Sequence, residues 1–228
     1  MGWGFIHLQK NHENQYMERK DNTYRISLIV LIATYLVGII GFQMEIARSY
    51  FIILTPFHLM LTAYLLIINS KEDGYKLGLF VFSSATIGYI VEVIGVKSGF
   101  IFGNYNYGST LGLKILDVPL MIGVNWFILT FCVGMTAQKF IKNSALFILA
   151  SSVSLVGIDF LIEPVAIKLY FWSWSNGIIP LHNYFGWFFT SVLILSLFRL
   201  FQFTKPNPFA IYVLLAQIIF FLILGQGY

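Results

Sequence analysis

Charge is what this sequence has least of. Only 11% of its 228 residues are Asp, Glu, Lys or Arg, against roughly a quarter in a soluble domain. Cysteine is nearly absent as well. The single Cys132 excludes an intrachain disulfide and a cysteine-type zinc site, and within an apolar run it reads as a small buried residue. No repeat or low-complexity tract stands out. The last apolar stretch, Pro208 to Tyr228, has no lysine, which excludes a retinal protein with its Schiff base in the final helix. The first 25 residues lack the basic start, apolar core and small-residue cleavage site of a signal peptide. Ile6 stands where a myristoylation motif wants Ser or Thr.

Apolar residues are abundant. They make up 58% of the chain and fall in runs long enough to cross a bilayer, each needing roughly 20 residues. The fold class is therefore all-α, a polytopic membrane bundle of about seven transmembrane helices. They are expected at 24–42, 50–69, 77–96, 115–138, 144–171, 183–203 and 208–225. Residues 1–23 form a cytoplasmic lead-in, and 24–228 a single transmembrane helical domain. Pro208 suits the first turn of its helix, where its missing donor costs nothing. Ten of the 14 Lys and Arg residues fall on the side of the N-terminus and four (Arg48, Lys97, Lys114, Lys168) on the other. The positive-inside rule then puts the N-terminus in the cytoplasm and the C-terminus outside, in the cell membrane. The net charge of +4 reads as topology. Two longer loops, 97–114 and 172–182, share the outer side.

An ionisable residue within a membrane helix is costly, and by default marks function. At 1.5 Å rise per residue, Glu92 is expected ~6 Å below the outer end of its helix, Glu163 and Asp159 ~12 and ~18 Å, and His58 and Asn125 ~12 Å. Asp117 and Asn183 stand at outer helix ends. This clustering in the outer half suggests one polar pocket. Asp159 and Glu163, four residues apart, share a helix face. Pro164 removes the hydrogen bond to the Phe160 carbonyl and kinks the helix. Two carboxyls so placed do not both ionise cheaply, so one is expected to hold a proton. Structural readings stand beside these. Glu92 could pair with Lys97 or Arg48, the Asp159–Glu163 pair could brace the kink, and His58 could simply pack. Trp172, Trp174 and Trp187 could form an interfacial belt, and Gly88, Gly95 and Gly99 could serve close helix packing.

The order of these features carries a resemblance. Glu92-x-x-Gly95-x-x-x-Gly99 leads to Phe102-Gly103-x-Tyr105-x-Tyr107, Leu111-Gly112, Val118-Pro119 and Asn125-Trp126. Asp159, Glu163-Pro164-Val165-Ala166, Trp172-x-Trp174 and Pro180-x-x-Asn183-x-x-Gly186-Trp187 follow. This set, over roughly residues 77–203, resembles the membrane carotenoid-biosynthesis family that includes the bisanhydrobacterioruberin and γ-carotene hydratases. Glu163 stands where that family often has Asp, and Asn176-Gly177-Ile178-Ile179 replaces a tyrosine-rich stretch. The resemblance implies hydration of a carotenoid. Water adds across the terminal isopropylidene double bond of an acyclic end, giving a tertiary alcohol with no redox or metal cofactor.

The residues fit that chemistry. An alkene is a poor base, so a desolvated carboxylic acid, Asp159 or Glu163, is needed to protonate it. Aromatic faces attract the resulting cation, and Tyr105, Tyr107, Trp126, Trp172, Trp174 and Trp187 are candidates. Glu92, with Asn125 or Asn183, would orient water arriving from the outer loops. Asp117 and His58 complete the expected substrate-binding set. The expected partners are a carotenoid held in the bilayer and water, with no nucleic acid. Acid-initiated end-group cyclisation would use the same residues, and a non-catalytic carotenoid-binding protein is the remaining alternative.

Overall fold

The computed structural model describes residues 2–175 and 177–226, with side chains from residue 21 onward. Among the described residues, seven helices are long and apolar enough to cross a membrane. They are α1 (Gly2–Gln43), α2 (Glu45–Ile68), α3 (Gly74–Ser98), α4 (Leu120–Ala137), α5 (Ser144–Lys168), α6 (Leu181–Phe201) and α7 (Phe209–Gln226). The polytopic helical bundle expected from the apolar runs is the fold found. Large apolar side chains such as Ile46, Phe82, Phe160 and Phe189 are exposed around its sides, as a lipid-facing surface requires. Met1 and Asn176 lie outside the described residues.

One helix is unlike the rest. In α4, 67% of the spanning window is buried, against 17–39% in the other six. It packs against α2, α3, α5, α6 and α7, while α1 packs on α2 and α7. The bundle is therefore built around α4, with α3, α5 and α6 on one side and α1, α2 and α7 on the other. Below the middle of the first group, Phe80, Phe131, Phe147 and Phe198 interlock as an aromatic floor; the Phe147 and Phe198 rings stack at 5.7 Å.

Helix ends follow local chemistry. Asp73 caps α3 by accepting from the Tyr75 amide at 3.0 Å, and Asn143 caps α5 by accepting from Leu146 at 3.0 Å, each satisfying a donor left open in the first turn. Gly99, at φ 65°, ends α3 in the left-handed conformation that glycine adopts without strain.

Several boundaries differ from those read in the sequence. Helix α1 is already helical from Gly2 rather than starting at Tyr24. The fourth helix starts at Leu120, not Ile115, because β2 (Lys114–Ile115) and β3 (Val118–Pro119) pair as an antiparallel hairpin. Its two turn residues, Leu116 and Asp117, have φ of 51° and 68°, the mirror-image turn that fits strand twist. The fifth helix stops at Lys168, not Phe171; Tyr170 at φ 57° turns the chain away.

The two long loops are not independent. β1 (Tyr105–Tyr107) from one pairs with β4 (Trp172–Trp174) from the other, antiparallel, with Tyr105 opposite Trp174 and Tyr107 opposite Trp172. Side chains alternate across a strand. Tyr-x-Tyr and Trp-x-Trp therefore turn four aromatic rings toward the bundle and leave Asn106 and Ser173 exposed. This ribbon closes one end of the α3–α6 group, hereafter the strand end.

Candidate active site

Measured from the actual helix ends, the polar residues come to one level. Glu92 lies six residues from the end of α3, Glu163 five from the end of α5 and Asn125 five from the start of α4, which is ~8–9 Å from the strand end in each case. Asp159 lies one turn deeper, ~14 Å along α5. All three carboxyl groups are buried.

Glu92 is held by three donors. Its Oε2 accepts from the hydroxyls of Tyr105 at 2.5 Å and Tyr107 at 2.8 Å, and its Oε1 from Trp126 Nε1 at 3.1 Å. Burial, reinforced by the adjacent Glu92 carboxylate, pushes both phenols above their ordinary range, so both keep their protons and donate. Glu163 mirrors this arrangement. Its Oε2 accepts from Trp172 Nε1 and Trp174 Nε1, each at 3.0 Å, and its Oε1 from Asn183 Nδ2 at 3.1 Å. The tyrosines of β1 thus hold one carboxylate and the tryptophans of β4 the other. Across the ribbon the Tyr105 and Trp174 rings lie 5.1 Å apart.

Asp159 differs. Its Oδ2 accepts from Asn183 Nδ2 at 2.7 Å, and its Oδ1 has no hydrogen-bond partner among the described residues. The hydrogen bonds that these three carboxyls receive all come from neutral groups.

Between Glu92 and Glu163 lies a cavity of about 30 Å³, lined by those two residues, Asn125 and Asn183 and by the aromatic rings at 102, 105, 107, 126, 172, 174 and 187, with Asp159 behind Asn183 and outside the lining. That volume holds water-sized molecules. Trp126 and Trp187 stack at 4.3 Å on one wall. Glycines make room for the rings. A Cβ at Gly88 would sit 2.3 Å from Trp126, and one at Gly95 or Gly186 2.5 or 2.4 Å from Phe102. Phe102 and Ile122 also line the cavity and were not among the site residues expected from sequence. For Phe102 the signal was available in Gly95 and Gly186, whose missing side chains form its seat.

Of the expected residues, the structure brings together Glu92, Tyr105, Tyr107, Asn125, Trp126, Asp159, Glu163, Trp172, Trp174, Asn183 and Trp187. Two lie elsewhere. Asp117 is at the exposed hairpin tip, where it pairs with Lys97; that ammonium holds its carboxyl below the ordinary range. His58 is ~20 Å along α2 from Glu45 and packs edge-on against Tyr35 of α1 at 4.6 Å. Neither lines the cavity. Lys97 is engaged by Asp117, and the Arg48 side chain donates to the Phe42 carbonyl at 2.9 Å, so neither pairs with Glu92. The indoles of Trp172 and Trp174 point at Glu163 and the Trp187 ring is buried in a stack, an inward placement that an interfacial belt would not need. Among the described residues no three His, Cys, Asp or Glu side chains converge as a metal site requires.

Fold and site together define an acid-and-aromatic pocket in a membrane helical bundle, with Glu92 and Glu163 set in a box of rings, Asp159 one turn deeper, and no cationic side chain among the described residues bonded to any of the three. Comparison with known proteins then gives the family. Residues 47–227 match the sequence signature described as carotenoid biosynthesis protein, and the chain belongs to that family. It is similar to a bisanhydrobacterioruberin hydratase of Haloarcula japonica, at 26% identity over 131 residues. That alignment covers 54% of this chain and 45% of the relative, so the chain spans about half the length of the relative it matches. No solved structure matches.

Proposed function

We propose that this protein is a carotenoid 1,2-hydratase. It adds water across the terminal isopropylidene double bond of an acyclic carotenoid end and yields a tertiary alcohol. The observation that carries the reading is the Asp159–Glu163 pair, bridged by Asn183 beside a ring-lined cavity. Membership of a carotenoid-biosynthesis family and likeness to a hydratase support it.

The steps use this chain's own groups. Indole N–H groups only donate, so Glu163 Oε2 is fixed as a double acceptor and Glu163 is the ionised member of the pair. Asp159 Oδ1, free of any donor, carries the proton and gives it to the CH carbon of the double bond. The tertiary carbon becomes cationic. The faces of the cavity rings stabilise it, and the Glu92 and Glu163 carboxylates, preorganised by six hydrogen bonds, add electrostatic stabilisation where the charge develops. Water oxygen then bonds to that carbon, and its surplus proton returns to the pair. The balance needs no redox or metal cofactor.

A carotenoid is comparable in length to the ~30 Å hydrocarbon core, so the substrate enters sideways from the bilayer with its end at the strand end. Charge distribution supports an orientation in the cell membrane with the N-terminus cytoplasmic and the strand end outside. Expression in a bacterium that accumulates acyclic carotenoids, with mass analysis of the pigments, tests the reading. A new product heavier by one water is expected. An isomer of unchanged mass would make the protein a cyclase, and unaltered pigment that copurifies would make it a binding protein.

A further inference from the structure

Serines in these helices follow a rule with a localised exception. Ser83, Ser84, Ser98, Ser154 and Ser196 each donate to the carbonyl four residues earlier in their own helix, the usual way a helical hydroxyl is satisfied in an apolar setting. Ser151 and Ser152 of α5 and Ser191 of α6 do not. Their Oγ atoms are buried and have no partner among the described residues, as is true of Asp159 Oδ1. Buried polar groups are almost always hydrogen-bonded, so unpartnered oxygens that fall on one seam point to a common ligand, and three of these, Ser152 Oγ, Ser191 Oγ and Asp159 Oδ1, do so.

Helix register brings these three together. The Phe147–Phe198 stack and the bonds of Asn183 to Asp159 and Glu163 set α5 and α6 antiparallel in a defined register. In that register Thr190 and Ser191 lie about one turn, ~6 Å, below Asp159, away from the strand end. Ser152 precedes Asp159 by seven residues, two turns, and shares its helix face. Thr190, Ser191 and Ser152 therefore descend from Asp159 as a ladder of buried hydroxyls. The Phe147–Phe198 stack lies further from the strand end on the same two helices.

We propose that this seam, with Ser191 and Ser152 as its positioning residues, binds the water that adds to the substrate. This rests on the hydratase reading and departs from a supply through the outer loops. Water held against Asp159 Oδ1 forms the new C–O bond to the cationic carbon and gives its surplus proton back to the carboxyl that released one. Atoms balance as one water added, and the acid is regenerated without a second group.

Starved of that water, the cation can only lose a proton and revert to an alkene. The test incubates the full chain in native membranes with an acyclic carotenoid in deuterium oxide, comparing wild type with Ser191→Ala, Ser152→Ala and the double variant. Ser154→Ala, on the exposed face, is the control. The expected result is a fall in alcohol of up to about a hundredfold, the scale of a misplaced reactant, while recovered alkene still gains deuterium. Alcohol yield unchanged in the double variant overturns the proposal. So does joint loss of alcohol and deuterium exchange in both single variants at wild-type expression and melting temperature, since it would place the serines in the acid step. If the wild type makes no alcohol, the hydratase reading falls first and this inference falls with it.

Discussion

A single amide nitrogen, Asn183 Nδ2, donates to Asp159 Oδ2 at 2.7 Å and to Glu163 Oε1 at 3.1 Å. The bridge ties α6 to two successive turns of α5 and holds the two carboxyls at one separation. Asn183→Ala would leave both buried acceptors short of a donor, at a cost of about 1–3 kcal/mol. A lower melting temperature in detergent and a rate loss of about a hundredfold, the scale of a mispositioned catalytic group, are expected. Asn183→Asp should be worse, because it adds a carboxyl directly against Asp159 and Glu163, the fourth at the site, with no cation among the described residues bonded to them.

The β1–β4 ribbon supplies four of the six hydrogen bonds to Glu92 and Glu163, so its rings and its N–H and O–H groups can be separated by mutation. Trp174→Phe keeps a ring beside Tyr105 but deletes one hydrogen bond to Glu163 Oε2. Tyr105→Phe does the same at Glu92. Each is expected to fold and to lose about a hundredfold to a thousandfold in rate, the range for removing one preorganised donor. A rate within twofold of wild type for both would remove the two glutamates from the electrostatic account.

Gly88 gives a packing prediction. An added methyl would meet Trp126 at 2.3 Å, and Trp126 is fully buried, stacked on Trp187 and bonded to Glu92. Gly88→Ala should cost about 1–3 kcal/mol by overpacking, seen as a lower melting temperature. Gly157→Ala, where nothing lies within 4 Å, should be neutral or slightly stabilising.

The exposed Lys97–Asp117 pair links the end of α3 to the hairpin tip, away from the cavity. Asp117→Asn should leave hydration unchanged. The Asp117 carboxyl is held below its ordinary range by Lys97. Any stability from the pair is thus fully present above the ordinary carboxylate range and lost as pH falls through the lowered value, and salt should weaken it. A melting temperature that differs from wild type near neutral pH and converges with it in acid would check the sign.

Much of this was legible in the sequence, for identifiable reasons. Apolar runs of bilayer length admit few structures besides spanning helices. Carboxyls inside those runs are costly enough to stand out, which is why Glu92, Asp159 and Glu163 could be named as one group. Their partners were harder to read. Glu92 is held by Tyr105 and Tyr107 only because β1 pairs with a strand more than 60 residues away, and no local pattern encodes that pairing. The hairpin ahead of α4 was hidden because Ile115, Val118 and Leu120 continue the apolar character of the helix and no glycine marks the turn. His58 was misplaced by its helix boundary. Starting α2 at Glu45 rather than Tyr50 moves it one to two turns deeper, and its face turns toward Tyr35 of α1.

The most direct test of the account is the alcohol yield of Asp159→Asn and Glu163→Gln in carotenoid-accumulating cells, at matched expression. Asp159→Asn removes the proposed proton donor and should abolish the hydrated product. Glu163→Gln keeps the size of the side chain but brings an amide NH₂ against indole donors that need an acceptor, and should leave a small residue of activity. Full yield from both variants would contradict the account, because the carboxyl pair could then not be the source of the proton.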